Sequence, residues 1–236
     1  MKYNSGCMVC GADLVYSDEL MYSQCSICGK TIKSNARCKN GHFVCDECHG
    51  IDAIDIIENV CGSSPNTDPL ELAMDLMQNS YVNLHGPEHH YLIPAVLITS
   101  YCNQFETDSK KRQKLAIAKE RSSKVPGGYC GFYGSCGAGV GSGIFASVIT
   151  GATPLTKDSW GFSNKMTAHV LSSIGEIGGP RCCKRNSFTA IIKASEFLFD
   201  ETGKKLFDFE HAKPVCTYKS KNKECIKMDC PFFLNK

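Results

Sequence analysis

The sequence predicts a mostly α fold, a helical main domain with a small N-terminal β module of zinc-ribbon-like or treble-clef-like type. Three observations carry this. Apolar residues recur at helical spacing after the first sixty positions, strand-like alternation is scarce outside the first fifty, and those fifty hold cysteine pairs at metal-ligand spacing.

A chain of 236 residues suits one core of ordinary size with a small module appended. The expected division is a zinc-binding module over residues 1–50 and a helical, cysteine-rich domain over 51–236 that includes a cysteine tail. Apolar content of 42% and charged content of 21% exclude disorder as the starting point. A net charge of +2 gives no argument from global charge for nucleic acid or membrane. There is no apolar run of a secretory leader, and the stretches 91–100 and 140–150 are too short or too rich in Gly and Ser to span a bilayer. A cytoplasmic, membrane-free protein is expected. Under reducing conditions, sixteen cysteines point to metal ligands or redox groups rather than disulfides.

The module comes first. Cys7-Met-Val-Cys10-Gly and Cys25-Ser-Ile-Cys28-Gly are two C-x2-C-G knuckles with fourteen residues between them. Two sulfurs of one tight turn reach one ion, and the glycine relieves the turn's backbone. Cys38, His42, Cys45 and Cys48 follow, which makes eight candidate ligands for two closed tetrahedral zinc sites. Sequential pairing gives Cys7, Cys10, Cys25 and Cys28 to one ion and the last four to the other. Cross-braced pairing joins Cys7 and Cys10 to Cys38 and His42, and Cys25 and Cys28 to Cys45 and Cys48. The sequential scheme is preferred, because two such knuckles make a ribbon unaided. His49 is a substitute ligand or a surface histidine. So short a segment has too little core to fold without metal.

The helices follow. Thr67 or Asp68 caps a helix that has Pro69 in its first turn and Leu70, Leu72, Ala73, Leu76 and Met77 along one face. A second opens at Pro87 and runs to Tyr101, kinked at Pro94. Residues 109–124 form a basic helix with Lys110, Lys111, Arg112, Lys114, Lys119, Arg121 and Lys124. It is either a solvated surface or a grip for an anionic partner. A glycine-rich loop over 127–143 leads into a helix carrying Ile144, Phe145, Val148 and Ile149. Helices over 166–177 and 185–201 complete the set, with His169 expected as a satisfied core histidine.

Three constellations carry chemistry. In Pro126-Gly-Gly-Tyr-Cys130-Gly-Phe-Tyr-Gly-Ser-Cys136-Gly, glycines before a helix allow close backbone approach, and a thiol at a helix start favours thiolate. These glycines serve either tight helix packing or, far more weakly, a nucleotide loop, since Gly137-x-Gly139-x-x-Ser142 has no preceding strand. In Gly178-Gly-Pro-Arg-Cys182-Cys183-Lys184-Arg185, adjacent cysteines avoid pairing with each other and read as one metal ligand plus one reactive or packed thiol. In His85-Gly-Pro-Glu88-His89-His90, two imidazoles and a carboxylate suit a metal or acid-base work. The tail adds Cys216, Cys225 and Cys230-Pro231, a metal or iron–sulfur set lacking one ligand. Cys61, Cys102 and one of Cys182 or Cys183 are available as the fourth.

With these motifs, His-Gly-Pro-Glu-His-His, Cys-Gly-x-x-Gly-x-Cys-Gly-Ala-Gly and Gly-Gly-Pro-Arg-Cys-Cys-Lys-Arg, the chain resembles a family known only as a domain of unknown function. That family occurs in anaerobic bacteria and methanogenic archaea, sometimes joined to radical-SAM or methyltransferase domains. The likeness extends over nearly the whole chain. A looser similarity is to redox-active proteins named for a C, G-C-A-x-x-G, C-C pattern, matched in order by Cys130, Cys136, Cys182 and Cys183. The central element departs from it, reading Cys136-Gly-Ala. Both resemblances imply anaerobic metabolism and iron–sulfur chemistry.

The expectation is an iron–sulfur (or other metal) dependent enzyme of redox or sulfur-transfer type, with two zinc ions in the module and a 4Fe–4S cluster. Cys130, Cys136 and Cys182 hold the cluster, with Cys216, Cys225 and Cys230 as further candidates. Cys183 is the nucleophile or sulfur carrier, His85, Glu88 and His89 move protons, and Lys184 and Arg185 hold an anionic small molecule or RNA-borne group. A radical-SAM or methyltransferase protein is the expected partner. The alternative is a non-catalytic zinc-finger module that binds RNA or a partner enzyme.

Overall fold

The structure is a computed structural model that describes residues 7, 9–10, 12–45, 53–106 and 108–233. Cys48 and His49 lie outside the described residues. The main body is helical and the module is a β-hairpin, β1 (Leu14–Gln24) antiparallel to β2 (Thr31–Cys38). Leu14 pairs with Cys38 and Gln24 with Thr31, so the second knuckle forms the hairpin's turn while the first lies at its open end. An irregularity between Tyr16 and Met21 accommodates β1's greater length. After His42 the chain returns to the turn, where Ser26 N–H donates to the Phe43 carbonyl (2.8 Å).

Eight helices are present among the described residues: α1 (Ala53–Ser63), α2 (Pro69–Gln78), α3 (Glu88–Phe105), α4 (Asp108–Ser122), a single turn α5 (Tyr129–Phe132), α6 (Gly137–Thr150), α7 (Asp158–Ile177) and α8 (Cys183–Thr202). Asp68 caps α2 by accepting from the Leu70 and Glu71 amides, with proline in the first turn as expected. Helix α1 was not anticipated, and α7 begins earlier than its apolar spacing suggests.

Helix α3 is the hub. Leu92, Ile93, Ala95, Val96, Leu97 and Ile98 are all fully buried, because α1, α2, α4, α6 and α8 surround it. Each of the Leu, Ile and Val side chains among them contributes roughly 1.5–3 kcal/mol by leaving water. Pro94 sits inside the continuous α3 rather than ending it. Helix α7 lies outside this layer, against α6 and α8. Ile27, Phe43 and Val44 of the module join the same apolar cluster as Ile56 and Ile57 of α1, so the hairpin's turn end is seated on the helical core. No helix of the described residues is long and apolar enough to cross a membrane.

The glycine-rich segment is not a loop up to Ile144. Seven of its residues, 137–143, already belong to α6, and the glycines serve packing. A Cβ on Gly139 would lie 2.5 Å from Leu171 of α7, and one on Gly141 would lie 2.9 Å from the His90 carbonyl of α3. Small residues on two faces of α6 let α3 and α7 approach it closely, which accounts for the glycines without a nucleotide.

Candidate metal and thiol sites

Two ligand groups form in the module. Cys7, Cys10, Cys38 and His42 converge at the hairpin's open end, and Cys25, Cys28 and Cys45 at its turn, with the ligand atoms of each group within 4.8 Å of one another. The pairing is therefore cross-braced, and the preferred sequential scheme is corrected. The hairpin register explains it: Cys38 ends β2 opposite the start of β1, beside the first knuckle and far along the strands from the second. Cys10 Sγ and Cys38 Sγ are 3.8 Å apart, as are Cys28 Sγ and Cys45 Sγ, and His42 Nδ1 is 3.4 Å from Cys38 Sγ. A tetrahedron with metal–sulfur bonds of about 2.3 Å has edges of about 3.8 Å, so both groups could hold a metal ion and both are compatible with zinc.

Backbone amides donate to these sulfurs, although burial still pushes the Cys7 thiol up to about 11. Val9 N–H donates to Cys7 Sγ, Asn40 and His42 N–H to Cys38 Sγ, and Cys45 N–H to Cys25 Sγ. Burial disfavours the Cys10 and Cys25 thiolates. The Ala12 amide and donors from His42, Asn40 and Cys38 nevertheless bring Cys10 down to about 6, and the amides of Cys28, Cys45 and Ile27 bring Cys25 to about 7.

A different set of thiols gathers at the first turn of α8. Cys182 is the helix cap and its sulfur accepts the Arg185 amide (3.5 Å). A cavity on one side of it is lined by Cys182, Cys216, Cys225 and Cys230, with Phe188, Ile226, Phe232 and Phe233 as apolar walls. The tail folds back to form it: Cys216 N–H donates to the Phe232 carbonyl (3.0 Å), and Phe232 packs edge-on against Phe188 (5.4 Å). Asn222 joins the two halves by donating from Nδ2 to Cys182 Sγ (3.5 Å). Cys182 thus completes the three-cysteine tail. Burial raises the Cys216 and Cys230 thiols, and the neighbouring thiols around the cavity raise them further, since adjacent thiolates repel. Among the described residues only the module groups close to within 4.8 Å, so these four sulfurs surround a wider space than one ion needs.

Cys183 does not line this cavity. Burial pushes its thiol up to about 11; the Gly86 amide lowers it in part, and the neighbouring Cys136, Cys182 and Cys130 raise it. One turn on, Asn186 donates from Nδ2 to Cys136 Sγ (3.3 Å), while its Oδ1 accepts from Arg185 Nε (3.3 Å) and so fixes the amide's orientation. The His90 ring borders this place. Its Nδ1 faces the Val125 carbonyl (3.0 Å), and a Cβ on Gly137 would fall 2.3 Å from its Nε2. Cys130, Cys136 and Cys182, expected as one cluster set, do not close to within 4.8 Å any more than the four cavity cysteines do, and Cys182 lines the tail cavity.

The other expected residues are placed differently from one another. His85 turns to the tail, with Nε2 3.3 Å from Asn222 Oδ1 and 3.2 Å from Glu224 Oε2. Glu88 is buried and accepts the Asn83 amide (2.7 Å). His89 is enclosed, its Nδ1 3.2 Å from the Gly86 carbonyl, and burial together with Lys184 holds it well below the usual histidine range. Neither Glu88 nor His89 is open to a substrate. Lys184 is buried as well, donating to the Met77 and Val82 carbonyls (both 3.3 Å) and lying over the Tyr218 ring. Arg185 donates to the Gly178 and Pro180 carbonyls (2.7 and 2.9 Å) and also lines the tail cavity. His169 is half-buried against Phe197, with Nε2 lacking a hydrogen-bond partner among the described residues.

Sequence reasoning missed Asn186 and Asn222 as site residues, and it grouped His90 with His85 and Glu88 rather than with Cys136. Asn186 was detectable as the i+3 neighbour of Cys183 on one helix face. Asn222 and His90 depend on tertiary contacts that no spacing encodes. The charges of α4 are largely matched internally: Lys111 binds Asn103 Oδ1, Lys114 binds Glu106, Lys119 binds Asp55 and Glu58, Arg121 binds Ser147 and Lys124 binds Glu120.

A family model described as Family of unknown function (DUF5714) matches residues 57–233. The match contains every cysteine from Cys61 to Cys230 and leaves out the module's knuckles, so it is narrower than the whole-chain likeness expected. No curated protein and no solved structure matches the chain.

Proposed function

The chain belongs to the Family of unknown function (DUF5714), and from that premise we propose that it is an iron–sulfur dependent enzyme of redox or sulfur-transfer type. One observation carries the reading: four cysteines, Cys182, Cys216, Cys225 and Cys230, line a single apolar-walled cavity. Four thiolates are the usual ligand set of a 4Fe–4S cluster, and apolar walls keep water from its sulfides. When bound, such a group supplies one-electron transfer or sulfur chemistry.

The chain's own residues supply the rest. Asn222 and the Arg185 amide both donate to Cys182 Sγ and fix its position at the cavity wall. His85, which meets Glu224 and the cavity-lining Asn222, is the residue that moves a proton there. Cys130, Cys136 and Cys183 remain as thiols outside the cavity. The module carries two structural zinc ions of zinc-ribbon or treble-clef type and seats them against the core. An anionic small molecule fits this reading better than RNA, because Lys114 and Lys119 of α4 are already ion-paired inside the protein. A radical-SAM or methyltransferase protein remains the proposed partner.

The test is anaerobic purification followed by iron, acid-labile sulfide and zinc analysis per chain. About two zinc with roughly four iron and four sulfide is the expected content. Cys216→Ser and Cys225→Ser lose the iron and keep the zinc. A colourless wild-type protein holding zinc alone sinks the iron–sulfur reading.

A further inference from the structure

The tail that supplies three cavity cysteines also presents lysine to solvent. Lys219, Lys221, Lys223 and Lys227 are all exposed and fall within residues 219–227. Lys219 lines the cavity itself, with Nζ 4.9 Å from the ring centre of Phe233, another wall residue. Lys221 and Lys223 flank Asn222, which is buried and donates to Cys182 Sγ. Lys227 has left-handed backbone (φ 51), and its amide donates to Cys225 Sγ (3.4 Å). The turn that places a cavity sulfur therefore places a surface cation beside it. The stretch carries little opposing charge. Glu224 is turned to His85 Nε2 (3.2 Å), which leaves Asp229 as the other carboxylate between Cys216 and Cys230. Among the described residues Lys221, Lys223 and Lys227 form no ion pair, unlike Lys114 and Lys119 of α4. Ammonium groups gathered beside one cavity hold a positive potential that internal pairing would cancel. Met228 stands exposed among them (66%) as an apolar contact.

We propose that this lysine-fringed face is the docking surface for an acidic one-electron carrier protein that reduces the cluster held in the cavity. The proposal rests on the iron–sulfur reading above and names a partner for it. One electron passes from the reduced carrier to the cluster, the carrier is left oxidised, and no bond forms or breaks. Lysine suits such a partner because it is a compact, hydrated point charge that steers an encounter without locking it. Electron-transfer encounters are small, below about 1,200 Å², so charge rather than buried apolar area sets their rate. Single-stranded RNA is the competing polyanion, but it binds by stacking bases on free aromatic faces. Here Lys184 lies over the Tyr218 ring (4.8 Å) and Lys219 over that of Phe233.

The test uses the anaerobically purified full chain, its iron counted first, with a plant-type 2Fe–2S ferredoxin as the acidic probe. Binding should weaken roughly tenfold between ~20 mM and ~200 mM salt. Lys221→Gln/Lys223→Gln/Lys227→Gln should weaken it about tenfold at low salt, with iron content unchanged, and slow cluster reduction by ferredoxin by a similar factor. Reduced methyl viologen, a small cation, should reduce the wild type and this variant at equal rates. Should the triple variant shed iron, because Lys227 belongs to the Cys225 turn, the Lys221→Gln/Lys223→Gln pair carries the comparison, with a roughly threefold effect. Asp229→Asn should tighten binding about twofold, a gain that loss of structure cannot mimic. Binding that ignores both salt and these lysines, in a chain that holds its iron, overturns the docking face alone. So does single-stranded RNA that binds this face more tightly than the ferredoxin. A wild type without iron overturns the cluster and this proposal together.

Discussion

Gly141 of α6 lies directly on Pro94 of α3: a Cβ at position 141 would stand 3.0 Å from Pro94 Cδ and 2.9 Å from the His90 carbonyl. The two contacts have one cause. Proline has no N–H, so the carbonyl four residues earlier, that of His90, loses its helical partner. The glycine lets α6 approach this freed carbonyl and cover it. Gly141→Ala therefore meets backbone, not the movable end of a side chain. Overpacking costs about 1–3 kcal/mol, against a gain of about 1 kcal/mol in helix propensity. A net destabilisation of up to ~2 kcal/mol is expected, read as a lower denaturant midpoint with unchanged slope. A midpoint at or above the wild type would show that the two helices can separate without loss.

The cross-brace is tested by a double variant. In Cys10→Ser/Cys38→Ser both substitutions fall in one ligand group, since these sulfurs are 3.8 Å apart across 28 residues of chain. One zinc of about two should be lost, and the group of Cys25, Cys28 and Cys45 should keep its ion. Sequential pairing would instead put one substitution in each site and empty both. Zinc analysis per chain separates the outcomes.

Acid should act on the hub of the fold. His89 is held well below the usual range by burial and by Lys184, and His90 is lowered by burial too. In the unfolded chain both titrate near about 6.5. The unfolded state therefore binds more protons, so the stability these neutral rings allow is present above about pH 6.5 and is lost as pH falls toward their folded values. Between about pH 6.5 and 5.5, His89 alone should lower the unfolding free energy by ~1 kcal/mol. His89→Gln should flatten that part of the profile, and equal slopes in the two proteins would refute the assignment.

Local chemistry made the module's ligands readable, because two C-x2-C-G turns need no tertiary context to reveal their purpose. Their pairing was not readable, since it follows from hairpin register. Asp68 and Pro69 announced α2, whereas α6 was placed seven residues late because its glycines look like loop until α3 and α7 are seen against them. The tail's missing ligand was narrowed to a few cysteines. That Cys182 lines one cavity with Cys216, Cys225 and Cys230 depends on the fold that brings residues 216–230 back to the start of α8. Lys184 and Arg185 looked like substrate cations because sequence gives charge and not direction. Burial turns both toward backbone carbonyls.

Asn222 offers the sharpest test of the tail. Its side chain donates to Cys182 Sγ (3.5 Å), meets His85 Nε2 (3.3 Å) and accepts the Glu224 amide (3.0 Å), so it holds the loop before Cys225 against the α8 cap. Asn222→Ala removes all three contacts without touching a cavity cysteine. A net hydrogen bond is worth about 1 kcal/mol, which corresponds to a roughly fivefold change in the opening equilibrium of the tail. Iron should leave to a chelator about five- to tenfold faster, with zinc release unchanged, because the module lies elsewhere. The unfolding midpoint of the helical core should move little, as the tail covers only the outer end of α8. Iron release at the wild-type rate would mean that Phe232 and the backbone of the tail hold the cavity closed without Asn222.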